Sequence, residues 1–324
     1  MQSFAPGTAV LRDFPIFGVR GGDRAAREQL RKILPGLDGL KVCYLPDKER
    51  SLSGYSLLQL VGLYDLVVVE PALALPTHII QLENDGTTEE IANDGFMSLH
   101  CVMRSGRSDD FLENLKALLQ ELLLKTPVWA CILIGGKSSR MGSPKHLLTD
   151  EVGRTWLARA IAMCRPLVQG VVVAGRGEVP EEIDEDIYRV PDIPGTAGPM
   201  AGIISCGRWL PRVSWLLVAC DMPNLNTQAG EWLLAGRRPG NWGRIPRLPG
   251  KNTVDPLFAW YDYRALALFE ELHLSGIRRI GKIAERPRIE TAVIPPSLSD
   301  VWMNVNTPQQ LQDYRAVSRL LQNR

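Results

Sequence analysis

Apolar residues come in short, dense runs separated by longer amphipathic stretches, and the two kinds alternate along most of the chain. Leu66-Val67-Val68-Val69 is the clearest run: four consecutive apolar residues, three of them β-branched, suit a strand buried on both faces of a parallel sheet. Ala9 to Leu11, Pro15 to Val19, Lys41 to Leu45, His78 to Leu82 and Phe96 to Met103 read as further strands, with helices over Asp23 to Leu34 and Ser51 to Leu63. A stronger helix starts at Ser108-Asp109-Asp110, which offers an N-cap and an acidic first turn. Phe111, Leu115, Leu118 and Leu122 follow at helical spacing, and Leu112, Leu119 and Leu123 widen that face. Pro127 ends it, because a residue before proline is driven out of the helical region. The pattern therefore predicts a domain over 1–126 and a second over 127–324.

The second block opens at once with a strand, Val128 to Ile134, and a Gly-rich loop from Gly135 to Lys145. A helix over Thr155 to Arg165 and a strand over Val171 to Ala174 come next. A Pro/Gly segment from Pro191 to Gly202 then leads into a helix, and a strand runs from Trp215 to Cys220. Leu257 to Tyr261 reads as a strand, Tyr263 to Leu274 as a helix, and a last helix follows Pro308. Strands alternating with helices in both blocks predict an α/β fold on open, mostly parallel sheets.

Composition narrows the function. The chain has 324 residues, room for two average domains, and at 45% hydrophobic and 23% charged it is not a disordered chain. A net charge of +1 excludes a dedicated nucleic-acid binder, which carries a basic excess. That total hides an asymmetry: residues 1–126 hold 13 Lys/Arg against 17 Asp/Glu, and residues 127–324 hold 24 against 19. The second block is thus the better host for an anionic small molecule. No run is long enough to span a bilayer, and Met1 to Leu11 has no basic stretch followed by an apolar core, so neither a membrane span nor a signal peptide is expected. Six scattered cysteines without a C-x-x-C pair predict buried, reduced thiols in a cytoplasmic protein.

The densest chemistry lies in Leu133-Ile134-Gly135-Gly136-Lys137-Ser138-Ser139-Arg140-Met141-Gly142-Ser143-Pro144-Lys145, at the carboxyl end of the block's first strand, where open α/β sheets bind ligands. Gly135 and Gly136 let the backbone turn tightly and bring N–H groups against a phosphate, while Arg140 and Lys145 add positive charge. This is neither a P-loop nor G-x-G-x-x-G. Asp221 ends an apolar strand, a position suited to Mg²⁺, although an Asp capping the turn before Met222-Pro223 explains it too. Gly198, Pro199 and Gly202 imply a shaped loop entering a helix, a suitable lid for a flat base or pterin. Thr307-Pro308 reads as N-cap then first helical residue. Alternation would put Asn304 and Asn306 on one side of a strand.

Together these segments resemble the molybdenum cofactor guanylyltransferase family, which is marked by L-A-G-G-x-S-x-R-M-G-x-x-K, G-P-L-A-G, a strand ending C-D-x-P, and N-V-N-T-P. Here they stand as Leu133 to Lys145, Gly198 to Gly202, Cys220 to Pro223 and Asn304 to Pro308. Asp255-Pro256-Leu257-Phe258-Ala259 also matches a family segment near the substrate site. The resemblance covers nearly all of 128–324 and implies a Rossmann-like nucleotidyltransferase domain. It implies transfer of GMP from GTP to the terminal phosphate of molybdopterin cofactor, with release of pyrophosphate and with Mg²⁺ or Mn²⁺ as the metal. It further implies that Leu133, Ile134, Gly135, Gly136, Gly175 and Asp192 bind or lie near the nucleotide. Arg140 and Lys145 would hold its phosphates, and Asp221 the metal. Gly198, Pro199, Gly202, Asn304 and Asn306 would face the cofactor substrate. Molybdoenzymes and their chaperones follow as partners. Ile134 replaces the usual Ala, and Gly175 stands where many members have an Asn near the base or ribose. A cytidylyltransferase for the same cofactor is the alternative, and the Gly198 to Gly202 segment favours guanine. A non-catalytic cofactor chaperone is opposed by Lys145 and Asp221, and a sugar-phosphate nucleotidyltransferase by Gly198 to Gly202.

Pro15 to Leu30 has the place of a P-loop, strand then glycines then helix. Aligned on Gly18, however, the G-K-[ST] positions fall on Asp23, Arg24 and Ala25. Tyr64 to Glu70 and Lys41 to Leu45 resemble strands of the molybdopterin-guanine dinucleotide adaptor, a P-loop GTP-binding protein. The first block is thus either a degenerate, fused adaptor-like domain or an unrelated α/β domain.

Overall fold

The computed structural model describes residues 14–46, 54–70, 78–83, 100–104, 107–135, 144–181, 183, 187–196, 198–250 and 252–322. The expected strand over Ala9 to Leu11 lies outside them, as do Gly136 and Arg140. Contacts divide the chain into two compact units: Met1–Thr126 with Arg238–Gly240, and Pro127–Arg237 with Asn241–Arg324.

The first unit holds a five-stranded sheet, every pair parallel: β1 (Ile16–Gly21), β2 (Val42–Leu45), β3 (Leu66–Val69), β4 (His78–Glu83) and β5 (His100–Arg104), in the order β2-β3-β1-β4-β5. Parallel strands need crossovers, and helix α1 (Arg24–Ile33) and α2 (Gly54–Val61) supply two of them. All four residues of β3 are buried, as a central strand covered on both faces requires. Helix α3 (Ser108–Lys125) lays Phe111, Leu115, Leu119 and Leu122 on a core shared with Phe17, Val19, Val68 and Ile80. Its cap differs from the sequence expectation. Arg107 holds the N-cap position without a side-chain cap bond, and Ser108 begins the helix. The Ser108 hydroxyl instead accepts from Gln29 Nε2 at 3.4 Å, a long-range partner that displaces the local one.

The second unit is built on seven strands: β6 (Val128–Leu133), β7 (Gly170–Ala174), β8 (Tyr188–Val190), β9 (Ser214–Ala219), β10 (Gly243–Arg247), β11 (Ala259–Tyr261) and β12 (Ile289–Val293). Their order is β12-β10-β11-β9-β6-β7-β8, and only β11 runs antiparallel to its neighbours. Strand alternation separates two cores. Val128, Ala130 and Ile132 face one layer with Leu157 and Ile161 of α4 (Trp156–Cys164) and Leu233 of α6 (Thr227–Leu234). Cys131, Val172 and Leu217 face the other, with Ile204 of α5 (Pro199–Trp209) and Phe269 of α7 (Ala265–Leu274). Helices on both faces of a mostly parallel sheet make a three-layer α/β unit. Helix α8 (Pro308–Gln322) ends the chain, and Thr307 Oγ1 caps it by accepting from Gln310 N at 3.2 Å. Among the described residues, no helix is long and apolar enough to cross a membrane. Cys101, Cys131, Cys164, Cys206 and Cys220 are buried, and Cys43 is partly exposed.

Candidate active site

Because β9, β6, β7 and β8 are adjacent and parallel, their carboxyl ends lie along one sheet edge. That edge receives Asp221 after β9, Ile134-Gly135 after β6, Gly175-Arg176 after β7 and Asp192 after β8. β11 runs the other way, so its entry segment, Asp255 to Phe258, reaches the same edge. An open cleft of about 720 Å³ lies there. It is lined by Leu133, Ile134, Gly135, Lys145, Asp192 and Asp221, and from the start of α5 by Gly198, Pro199 and Gly202. Gly175, Asn304 and Asn306 are not on its lining.

Two back-to-back glycine turns shape the floor. Ile134 N donates to Ala174 O at 2.8 Å, extending the β6–β7 ladder by one bond. Gly135 then turns at φ +94°, where a Cβ would lie 3.1 Å from Arg176 O. Gly175 turns at φ +120°, where a Cβ would lie 2.0 Å from Ile134 O. Only glycine combines such a φ with so close a backbone approach. Gly202 differs from the expected loop: α5 begins at Pro199, so Gly202 is helical. There its missing Cβ lets the helix seat on Leu133 Cδ2, 2.8 Å from the position a Cβ would take. Gly198 is the N-cap residue at φ +78° with open space around it.

Polar groups converge at the β9 end. Lys145 Nζ lies 3.1 Å from Asp221 Oδ2 and donates to Asn306 Oδ1 at 2.6 Å, joining residues 161 positions apart. Val305 N donates to Asp221 O at 2.8 Å, and Asn304 Nδ2 donates to Asp255 Oδ2 at 3.2 Å. Three successive residues thus tie three separate site groups together. Residues 303–306 form no strand, so the expectation that both Asn side chains share one strand face is corrected: each has its own partner. Burial pushes the Asp255 carboxyl above the usual carboxylate range, opposed by hydrogen bonds from Leu257 N and Asn304 and reinforced by the charge of Asp221. Burial also raises Asp192, against the pull of the Arg176 guanidinium.

Arg176 and His146 line the cleft although the motifs did not single them out. Burial lowers the His146 pKa, and its Nε2 lies 2.9 Å from Glu178 O. The flanking glycines were the available signal for Arg176. Among the described residues no three His, Cys, Asp or Glu side chains gather as a metal site. A single carboxylate still suits Mg²⁺, which keeps several waters and takes one or two carboxylates plus substrate phosphate oxygens. Asp221 fits that demand: Oδ2 faces Lys145, and Oδ1 has no hydrogen-bond partner among the described residues.

A cleft at the strand ends of a parallel sheet, floored by glycine turns and flanked by a lysine and a carboxylate, places this unit in the α/β nucleotide-handling class. Residues 130–289 match the MobA-like NTP transferase domain. The molybdenum cofactor guanylyltransferase of Rhizobium meliloti is 32% identical over 207 residues, 60% of this chain and 94% of that protein. That of Pseudomonas putida is 30% identical over 58% of this chain and 97% of that protein. The molybdopterin-guanine dinucleotide biosynthesis protein A of Archaeoglobus fulgidus matches with a TM-score of 0.49 and 23% identity over 59% of this chain and 98% of that one. The chain belongs to the molybdenum cofactor guanylyltransferase family.

Proposed function

We propose that this chain is a nucleotidyltransferase that moves GMP from GTP to the terminal phosphate of molybdopterin cofactor. An oxygen of that phosphate forms a bond to the α-phosphorus of GTP. The bond from the α-phosphorus to the bridging oxygen breaks, and pyrophosphate leaves with its electron pair. The observation that carries the reading is Lys145 Nζ, held between Asp221 Oδ2 and Asn306 Oδ1 at the cleft. Such transfer depends on positioning and charge stabilisation rather than on an acid–base pair. Lys145 supplies a fixed positive charge where charge builds on the α-phosphate. The N–H groups at Gly135 approach the nucleotide because no side chain intervenes. Arg140 adds charge to the same phosphates, and Gly136 a second backbone contact. Asp192 and the Gly175 turn border the nucleotide, and Asn304, Asn306 and the Gly198 to Gly202 segment border the acceptor. Mg²⁺, or Mn²⁺, would be held by Asp221, where it neutralises phosphate charge. Molybdoenzymes and their chaperones are the recipients that this product chemistry calls for.

One assay tests the reading. The protein is incubated with Mg²⁺, molybdopterin cofactor and either GTP or CTP, and the dinucleotide is identified. A guanine dinucleotide with pyrophosphate release is expected. A cytosine product would move the assignment to the cytidylyl enzyme, and cofactor binding without any product would make the chain a carrier.

For residues 1–126 the reading is a degenerate adaptor-like domain that no longer takes a nucleotide. Supporting it, Asp23 Oδ1 accepts from Ala26 N at 2.8 Å and so fills the N-terminus of α1, the seat a phosphate would need. Calorimetry on the full chain should give one GTP per chain, and two would show that the first domain still takes a nucleotide.

A further inference from the structure

The turn after β7 reads Gly175-Arg176-Gly177: backbone enforces the first glycine, and side chains crowd the second. A Cβ on Gly175 would lie 2.0 Å from Ile134 O, and one on Gly177 would lie 2.9 Å from both His146 Cε1 and Ile134 Cδ1. The turn can therefore present a single side chain, and that side chain lines the cleft. Arg176 is exposed and makes no hydrogen bond or ion pair among the described residues, so its donors are unspent. Its charge acts on the partly buried Asp192 one strand away, with no hydrogen bond between the two side chains.

Position along the edge says which part of a nucleotide it meets. Strands are about 4.8 Å apart, so β7 is displaced by roughly 10 Å from β9, the strand that carries Asp221. With phosphates at Lys145 and Asp221, a group displaced that far along the sheet faces the nucleoside rather than the α-phosphate. The ligand there must offer adjacent acceptors to a planar fork of donors. Guanine does so through O6 and N7, whereas adenine replaces O6 with a donor amine.

We propose that Arg176 is a specificity-determining residue that reads the guanine base through O6 and N7, in place of the side chain that position 175 cannot carry. The inference rests on the guanylyl-transfer reading above. It is tested by calorimetric binding of GTP, 7-deaza-GTP and CTP to the full chain and to Arg176→Ala and Arg176→Lys, in Mg²⁺. Replacing N7 by carbon removes one acceptor and leaves the phosphates intact. Wild type should bind 7-deaza-GTP more weakly than GTP. Arg176→Ala should weaken GTP by roughly 5- to 150-fold, the worth of one bidentate arginine–guanine pair. In the same variant the GTP/7-deaza-GTP ratio should fall to about 1, and CTP should change little. Arg176→Lys keeps the charge but not the fork, and should lose the discrimination too. A uniform loss for all three nucleotides, rescued by lysine, would make Arg176 a phosphate contact and overturn the proposal. Unchanged affinities would overturn it as well. A wild-type chain that binds no nucleotide would overturn the transfer reading together with this one, whereas GTP binding with an unaltered 7-deaza ratio overturns this one alone.

Discussion

Gly175→Ala tests the geometry on which the cleft floor depends. The new methyl would start 2.0 Å from Ile134 O and 3.0 Å from Ile134 C, at a φ of +120°. The carbonyl cannot easily swing away, because Ile134 N is tied to Ala174 O at 2.8 Å and Gly135 is itself packed against the backbone of Arg176. Two costs therefore add: about 1–3 kcal/mol for a non-glycine residue in a sparsely populated backbone region, and about 1–3 kcal/mol for forcing atoms into filled space. The sum, about 2–6 kcal/mol, is roughly 4–24 °C in Tm at the sensitivity of a domain of this size. Gly153→Ala is the matched control, since Gly153 has a φ of +82° but nothing within 4 Å of its Cβ position. It should show the backbone cost alone. The assay is scanning calorimetry, read on the transition that GTP raises. If Gly175→Ala melts within a degree or two of Gly153→Ala, the close approach of the two turns is not a feature of the folded protein. The cleft floor would then not be lined by closely packed backbone.

Three further outcomes follow from the same edge. Lys145→Ala should lower the transfer rate by roughly 100-fold or more, the usual cost of one transition-state contact, while circular dichroism stays native. Near-normal turnover would remove Lys145 from the chemistry. Asp221→Asn should raise the Mg²⁺ concentration needed for half-maximal rate by at least about tenfold, because a hard cation loses its charged ligand, and an unchanged Mg²⁺ dependence would exclude it as the metal's holder. Asp255 has a carboxyl raised by burial, so between its unfolded and folded pKa the native chain holds more protons and stability falls as pH rises. Asp255→Asn should therefore melt above wild type at pH 7, with the gap closing as pH falls toward about 4. A pH-independent gap would show that the carboxyl is not perturbed.

What the sequence made legible was whatever a local pattern can carry. Strands β3, β6 and β9 announce themselves because a strand covered on both faces must be apolar at nearly every position. β8, β10 and β12 carry no such run: Tyr188 and Arg189 are exposed, β10 reads Gly-Arg-Ile-Pro-Arg, and Glu290 and Thr291 interrupt Ile289 to Val293, where only Ala292 is buried. β10 is held by its place in the sheet, with Arg244 stacked 4.5 Å from the Trp232 ring, a contact no periodicity encodes. The missed α6 did carry a signal, since Asn226 Oδ1 caps Ala229 N at 2.9 Å. Lys145 and Asp221 could be picked out at strand ends, but their closure by Asn306 spans 161 positions and exists only in the folded chain. Arg176 was hidden for a different reason: what marks it is the absence of room on either side.

The two sheets use the same topological position in opposite ways. At the carboxyl edge of the second unit, Arg176 is unpaired among the described residues, and Lys145 stands in an open cleft. At the corresponding edge of the first unit, the turn at Gly21 and Gly22 leads into Asp23, whose carboxylate already occupies the N-terminus of α1. Arg31 is no freer: its guanidinium lies 2.8 Å from Glu70 Oε2 at the end of β3, and the buried Glu70 also accepts from the Tyr44 hydroxyl. Burial and Glu70 together push the Tyr44 phenol up, so it stays a neutral donor across the physiological range. A phosphate arriving there would have to displace one carboxylate and compete with a second for the arginine. Restoring a phosphate seat would therefore take changes at both Asp23 and Glu70, and removing Glu70 alone would leave Arg31 and Tyr44 without the acceptor that now orders them. The first unit thus fills its strand-end seat with its own carboxylates, whereas the second leaves the Arg176 guanidinium unpaired among the described residues at the rim of an open cleft.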